Sequence, residues 1–232
     1  MRLGFVSDAH GNPDGLLVCL RFLRQQGVDE IYFLGDAIGY MPDWSGVFAL
    51  LEEFNVVCLQ GNHEQMSQNA VTDSTRNLAY GISPDLLKVN EHYLLRASMW
   101  PTSMNLLRQE KKLLLVHGSP SAPTDGYVYM DSPVEAFESV DANAIFMGHT
   151  HRPFVKRVYG KLLVNVGSCG LPRDVGNLAS CAIYDVDKDD CVIFRIPFEV
   201  NNVLKRFKNK IHPSVKNCLL RQGDDYYGTL VS

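Results

Sequence analysis

Short apolar runs alternate along the chain with amphipathic stretches. Arg2–Ser7, Glu30–Gly35, Val56–Gln60 and Lys112–Val116 read as buried strands, as do Ala144–Met147, Lys161–Val166, Ser180–Tyr184 and Cys191–Ile196. Between them, Asn12-Pro13-Asp14 places an N-capping side chain before a proline at the first helical position. Leu16, Cys19, Leu20 and Leu23 then recur on one face, and Gly27 ends the helix. Ser45–Phe54 predicts a second helix. Ser83-Pro84 opens a third that runs to Leu95, and Ser132-Pro133 a fourth with Val134, Phe137 and Val140 on one face.

The strand–helix–strand order at the start implies right-handed crossovers and parallel pairing. The last four strands have few helices between them, so part of the sheet is expected to be mixed or antiparallel. Two stacked sheets with flanking helices fit this order better than one open sheet. A single domain over 1–232 is expected, with residues 65–111 as a helical cap segment beside the site.

Composition narrows the class without choosing a function. Hydrophobic residues make up 46% and charged residues 21%, a globular mixture. A net charge of −4 gives no electrostatic reason for stable nucleic-acid binding or a membrane surface. No apolar stretch approaches the roughly 18 residues of a membrane helix. The opening run Leu3–Val6 is too short for a secretory signal. The six cysteines form no C-x-x-C pair, and a cytoplasmic location is expected.

The chemistry lies where the apolar runs end. The first ends in Asp8-Ala9-His10, the second in Gly35-Asp36 and the third in Gly61-Asn62-His63-Glu64. Two later ones end in His117-Gly118-Ser119 and Gly148-His149-Thr150-His151. Ligand sites of α/β folds lie beyond the carboxyl ends of strands. Five of the seven histidines stand at these ends. Gathered there with two carboxylates and no metal, they would bury charged and unpaired groups at a cost of several kcal/mol.

Imidazole mixed with carboxylate and amide oxygen suits Mn²⁺, Fe, Zn²⁺ or Co²⁺. Residues i and i+2 of an extended segment point the same way, so Asp8 with His10, and His149 with His151, are each expected to serve one site. The donors Asp8, His10, Asp36, Asn62, His117, His149 and His151 are too many for one ion and suit two, with Asp36 as the bridge. Two such ions activate a bridging hydroxide for in-line attack on phosphorus. His63 is read as the general acid or hydrogen-bond donor at the leaving oxygen, with Glu64 orienting its ring. The alternative makes His63 a ligand in place of Asn62.

In this order the motifs resemble the calcineurin-like metallophosphoesterase superfamily. The resemblance implies a four-layer α/β/β/α sandwich with a dimetal site above the sheet edges. It implies that one ion takes Asp8, His10, Asp36 and His151, and the other Asp36, Asn62, His117 and His149. Mn²⁺ is the expected ion, with Fe, Zn²⁺, Co²⁺ or Ni²⁺ as alternatives.

A finer resemblance is to the small prokaryotic phosphodiesterase branch related to diadenosine tetraphosphatases. It rests on Leu34–Tyr40, His117–Pro120, His149–Phe154, Asn165–Ser168 and Leu171–Asp174. In that branch the Asn165–Arg173 segment lies near the site, which makes Arg173 a candidate phosphate contact, with a surface salt bridge as the alternative. Ala37-Ile38-Gly39-Tyr40 stands where protein phosphatases carry Asp-Arg-Gly, which disfavours a phosphoprotein substrate.

The implied activity is hydrolysis of a phosphodiester or phosphomonoester of a nucleotide or other small molecule. A phosphoprotein phosphatase and a catalytically silent scaffold of the same fold are the alternatives. Tyr127, Tyr129, Trp44 and Trp100 are candidates to stack a base.

Overall fold

A computed structural model of the chain describes residues 1–68 and 80–231. Part of the expected 65–111 segment, residues 69–79, therefore lies outside the described residues.

The first half follows the apolar pattern closely. β1 (Arg2–Val6) leads into α1 (Pro13–Gln25), then β2 (Glu30–Phe33), α2 (Trp44–Glu53) and β3 (Val57–Cys58). β1, β2 and β3 pair in parallel, as short crossovers through helices require. Asn12 caps α1 by accepting from the Gly15 amide, and Asp43 caps α2 by accepting from the Gly46 amide at 2.9 Å. α3 (Asn62–Gln68), α4 (Pro84–Val89) and α5 (Glu91–Ala97) follow. The single helix expected from Ser83 to Leu95 is two helices joined at Asn90. The Asn90 side chain donates to the Leu86 carbonyl at 2.9 Å, so it competes for a helical acceptor at the joint.

β4 (Ser103–Arg108), β5 (Lys111–Val116), β6 (Ala144–Met147), β7 (Phe154–Val158) and β8 (Lys161–Asn165) make the second sheet, in the order β4-β5-β6-β8-β7. Ser103–Arg108 is thus an edge strand within the expected cap segment. β9 (Leu178–Asp185) and β10 (Asp190–Pro197) return antiparallel to the first sheet. α6 (Val200–Phe207), α7 (Pro213–Leu219) and β11 (Thr229–Leu230) complete the chain, and the first sheet reads β11-β10-β9-β1-β2-β3.

The two mixed sheets stack face to face. Leu3, Phe5, Tyr32 and Tyr184 of the first meet Leu115, Phe146 and Val164 of the second. The rings of Phe5 and Phe146 stack across the interface at 3.9 Å. The other face of the first sheet is covered by α1, α2, α6 and α7. The outer face of the second sheet, with Val116, Ile145, Met147 and Leu163, is closed by Val128, Phe137 and Ala142. The helix expected from Ser132 is only a 3₁₀ turn, Glu135–Phe137. Its cap is already engaged, because the Ser132 hydroxyl accepts from the Tyr129 amide at 2.8 Å. No described helix is long and apolar enough to cross a membrane.

Candidate metal centre

The loops after β1, β2, β3, β5 and β6 converge at one edge of the stacked sheets, and each delivers its ionisable residues there. Main-chain bonds join the loops: the Asp8 amide donates to the Gly35 carbonyl and the Gly148 amide to the His117 carbonyl. Convergence does not use extended alternation. Asp8, His10, Asp36, His149 and His151 all have positive φ, between 48° and 65°. These left-handed turns, rather than an i, i+2 pleat, aim the side chains inward.

Three donor groups overlap: Asp8 with His10 and His151, His10 with Asp36 and His63, and Asp36 with His117 and His149. Asp36 Oδ2 lies 3.3 Å from His117 Nε2 and 3.6 Å from His10 Nε2, between the two sides. Asp8 Oδ1 lies 3.2 Å from His151 Nε2. The Asn62 side-chain oxygen approaches His117 Nε2 at 3.2 Å. Every expected ligand is therefore in one cluster, buried except for the half-buried Asn62. His63 is in it as well, with Nε2 4.0 Å from Asp36 Oδ2, so its role as a ligand stays compatible with the geometry.

Tautomers follow from the carbonyls behind the rings. Nδ1 of His10 faces the Ile38 carbonyl at 3.0 Å, that of His117 the Leu34 carbonyl at 2.8 Å, and that of His151 the Leu171 carbonyl at 2.6 Å. A carbonyl only accepts, so each Nδ1 carries hydrogen and each neutral ring turns a bare Nε2 lone pair inward. His10 Nε2 and His151 Nε2 meet at 3.0 Å, lone pair against lone pair. Asp8 Oδ1 and both ring nitrogens of His149 are buried without a hydrogen-bond partner. Bound divalent cations would satisfy Asp8 Oδ1, the Nε2 atoms of His10 and His151 and one ring nitrogen of His149, and backbone support of metal-binding imidazoles takes this same form. The residues present fit such an ion.

The cluster polarises its own ionisations. Burial pushes the Asp36 carboxyl up, but the imidazoles of His117, His63 and His10 more than offset this and hold it far below the usual range. Asp8 behaves alike, with His151 and His117 outweighing burial. Burial lowers His117, yet Asp36 and Asp8 more than compensate and raise it to about 9. Burial dominates at His63, brought down to about 3, and at His149 and His151, each brought down to about 4.

Glu64 does not orient the His63 ring. Its carboxylate accepts from the amides of Gly61 at 2.7 Å, Asp36 at 2.8 Å and Ala37 at 2.8 Å. It is the reciprocal cap of α3, and it ties that helix to the Asp36 loop. The Gly-Asn-His-Glu run carries this signal, since glutamate stands three residues after the capping glycine. Burial and the neighbouring Asp36 push Glu64 up to about 7, against the pull of its amide donors. The His63 ring is held instead by packing. Gly39 has φ +90°, and a Cβ there would lie 2.0 Å from His63 Nδ1. Tyr80 meets the ring edge-on at 5.1 Å.

Above the cluster opens a small cleft lined by Tyr40, Tyr80, Tyr127 and Arg173. Arg173 donates to the Tyr40 hydroxyl at 3.4 Å and makes no ion pair among the described residues. Tyr127 lies over His149, ring centroids 4.1 Å apart. Trp44 and Trp100 are elsewhere. Trp44 is fully buried and donates to the Met41 carbonyl, and Trp100 stacks on Phe48.

The calcineurin-like phosphoesterase superfamily domain matches residues 1–189. An uncharacterized protein of Methanocaldococcus jannaschii is 25% identical over 228 residues, covering 90% of this chain and 93% of that protein. A metallophosphoesterase from Sphaerobacter thermophilus has a similar crystal structure, with a TM-score of 0.80 at 24% identity over 94% of this chain and 98% of that one. So has a hypothetical protein from Pyrococcus horikoshii, with a TM-score of 0.80 at 18% identity over 97% and 99%. These two likenesses establish the fold.

Proposed function

We propose an activity from one premise: the chain belongs to the calcineurin-like phosphoesterase superfamily, and its site hydrolyses a small phosphate ester with two divalent ions bound. The observation that carries this is the set of unpartnered, inward-facing donor atoms arranged on both sides of Asp36. Asp8, His10, Asp36 and His151 would hold one ion, and Asp36, Asn62, His117 and His149 would hold the other. Mn²⁺ suits this donor set. When bound, the pair supplies Lewis acidity and a nucleophile at neutral pH.

The chain's own residues prepare the rest. The carbonyls of Ile38, Leu34 and Leu171 lock three imidazoles as Nε2 donors to metal. Glu64 holds the Asp36 loop against α3. His63 Nδ1 is buried against Gly39 without a partner, so the ring proton belongs on Nε2, which faces the cluster. Burial keeps this ring neutral, and nearby cations strengthen that effect. His63 therefore acts as a neutral hydrogen-bond donor to the leaving oxygen. Arg173 lines the cleft, and its guanidinium suits a phosphoryl oxygen there.

The test is hydrolysis of bis-p-nitrophenyl phosphate and p-nitrophenyl phosphate by protein stripped of metal and reloaded with Mn²⁺. Turnover is expected to require the metal, and Asp36→Asn to lower it by roughly 10²-fold or more. Wild-type protein without turnover on either ester, with any divalent ion, contradicts the reading and favours a silent scaffold.

A further inference from the structure

A second hollow adjoins the metal cleft. It is a groove of about 290 Å³, at the small end of sites for small molecules. The same three chain segments line both. His151, Arg173 and Tyr127 face the cleft, while Arg152, Asp174 and Tyr129 face the groove. The two hollows thus lie on either side of the same three segments.

An aromatic ladder leads from one to the other. Tyr127 lies over His149 at 4.1 Å, and Tyr129 stacks on Tyr127 at 6.2 Å with planes 13° apart. Both tyrosines are exposed, 57% and 37%. Exposed aromatic rings in parallel beside a catalytic centre are a stacking surface. The surface is also rigid. The Tyr129 amide donates to the Ser132 hydroxyl, the Ser132 amide donates back to the Tyr129 carbonyl, and Lys156 Nζ donates to the Met130 carbonyl at 2.7 Å.

Charge limits what the groove accepts. The Asp174 carboxylate is engaged by the fully buried Arg195, so it presents no free charge. What remains is Asp131 and Asp225 against Arg152. A group carrying further phosphates would meet two carboxylates and one guanidinium. An uncharged planar group would meet tyrosine faces.

Building on the esterase reading, we propose that the groove is the subsite for a nucleobase, and that the substrate is a phosphate ester whose scissile phosphorus is bonded directly to a nucleoside. Tyr129 takes the base, and Tyr127 sits between it and the metal-bound phosphate. Substrates with additional phosphates between the nucleoside and the scissile bond are disfavoured by Asp131 and Asp225.

The experiment compares thymidine 5′-(p-nitrophenyl phosphate), methyl p-nitrophenyl phosphate and diadenosine tetraphosphate as substrates of the Mn²⁺-loaded protein. Calorimetry measures the binding of thymidine 5′-monophosphate against ribose 5-phosphate alongside. The wild type is expected to prefer the nucleoside ester over the methyl ester in kcat/KM, and the nucleotide over the sugar phosphate in affinity. Each preference is roughly 5- to 100-fold, the range that base stacking on an aromatic side chain gives. Tyr129→Ala collapses both preferences, and Tyr129→Phe restores them. Equal use of the two esters with equal binding of the two ligands overturns the subsite while leaving the esterase intact, and preferred symmetrical cleavage of diadenosine tetraphosphate to two molecules of ADP, which leaves a phosphate between the nucleoside and the scissile phosphorus, overturns the direct bond. Base-dependent binding lost in Tyr129→Ala, without turnover of any ester, upholds the subsite and removes the esterase.

Discussion

At the scale of single residues, the site is a set of protonation states held in place by its neighbours. His117 shows the consequence. Its folded pKa of about 9 exceeds the ordinary 6.5, so its proton stabilises the metal-free fold fully below pH 6.5. That contribution is lost as pH rises through about 9. A metal ligand must give up the same proton. Binding of Mn²⁺ near pH 7 is therefore expected to release about one proton per chain, and none well above pH 9. Calorimetry in two buffers of different ionisation enthalpy measures this, and proton-neutral binding at pH 7 contradicts it. The residues that meet in the cluster were legible in the sequence because each sits where an apolar run stops. Their backbone was not. Five of them adopt left-handed φ, which aspartate and histidine visit more often than most residues but still rarely, so residue type alone does not announce it. Nor was the packing of the buried Trp44 and the half-buried Trp100, since an aromatic residue reads alike on a core face and on a loop.

At the scale of elements, the turns after the strands carry the function. Gly39 is an example in which a main-chain requirement holds a side chain of the site. With φ +90° and His63 Nδ1 in the place of a side chain, Gly39→Ala must shift the histidine or the loop. Metal content is expected to stay at the wild-type level while turnover falls by roughly 10²-fold, the scale of a misplaced catalytic group. Unchanged turnover in this variant contradicts the placement of His63.

The elements that were legible are those with strong periodicity and a cap, such as α1 and α2. Those that were not are set by tertiary context. β4, with Ser103, Asn105 and Arg108, lacks an apolar run because it lies at a sheet edge. β7 follows Arg152-Pro153 and pairs along one side only. The fourth helix failed because Ser132 closes the preceding turn instead of opening a new helix.

At the scale of the whole molecule, two sheets must stack rigidly for loops from both to meet at one centre. β1, β2 and β3 supply Asp8, His10, Asp36 and Asn62, while β5 and β6 supply His117, His149 and His151. The inter-sheet layer is therefore part of the scaffold of the candidate metal centre. Phe146, fully buried and stacked on Phe5, lies in it. Phe146→Ala is expected to lower stability by about 3–5 kcal/mol, read from the urea midpoint, and a loss below about 1 kcal/mol contradicts the layer's role.

The central claim is that one carboxylate, Asp36, joins two metal ions supplied from two sheets. It is tested most directly by loading wild-type and Asp36→Asn protein with Mn²⁺, removing the excess, and recording metal content with the paramagnetic resonance spectrum. The account predicts two exchange-coupled ions per chain in the wild type and at most one, uncoupled, in Asp36→Asn. A single uncoupled ion in both proteins, or two coupled ions that survive the substitution, contradicts it.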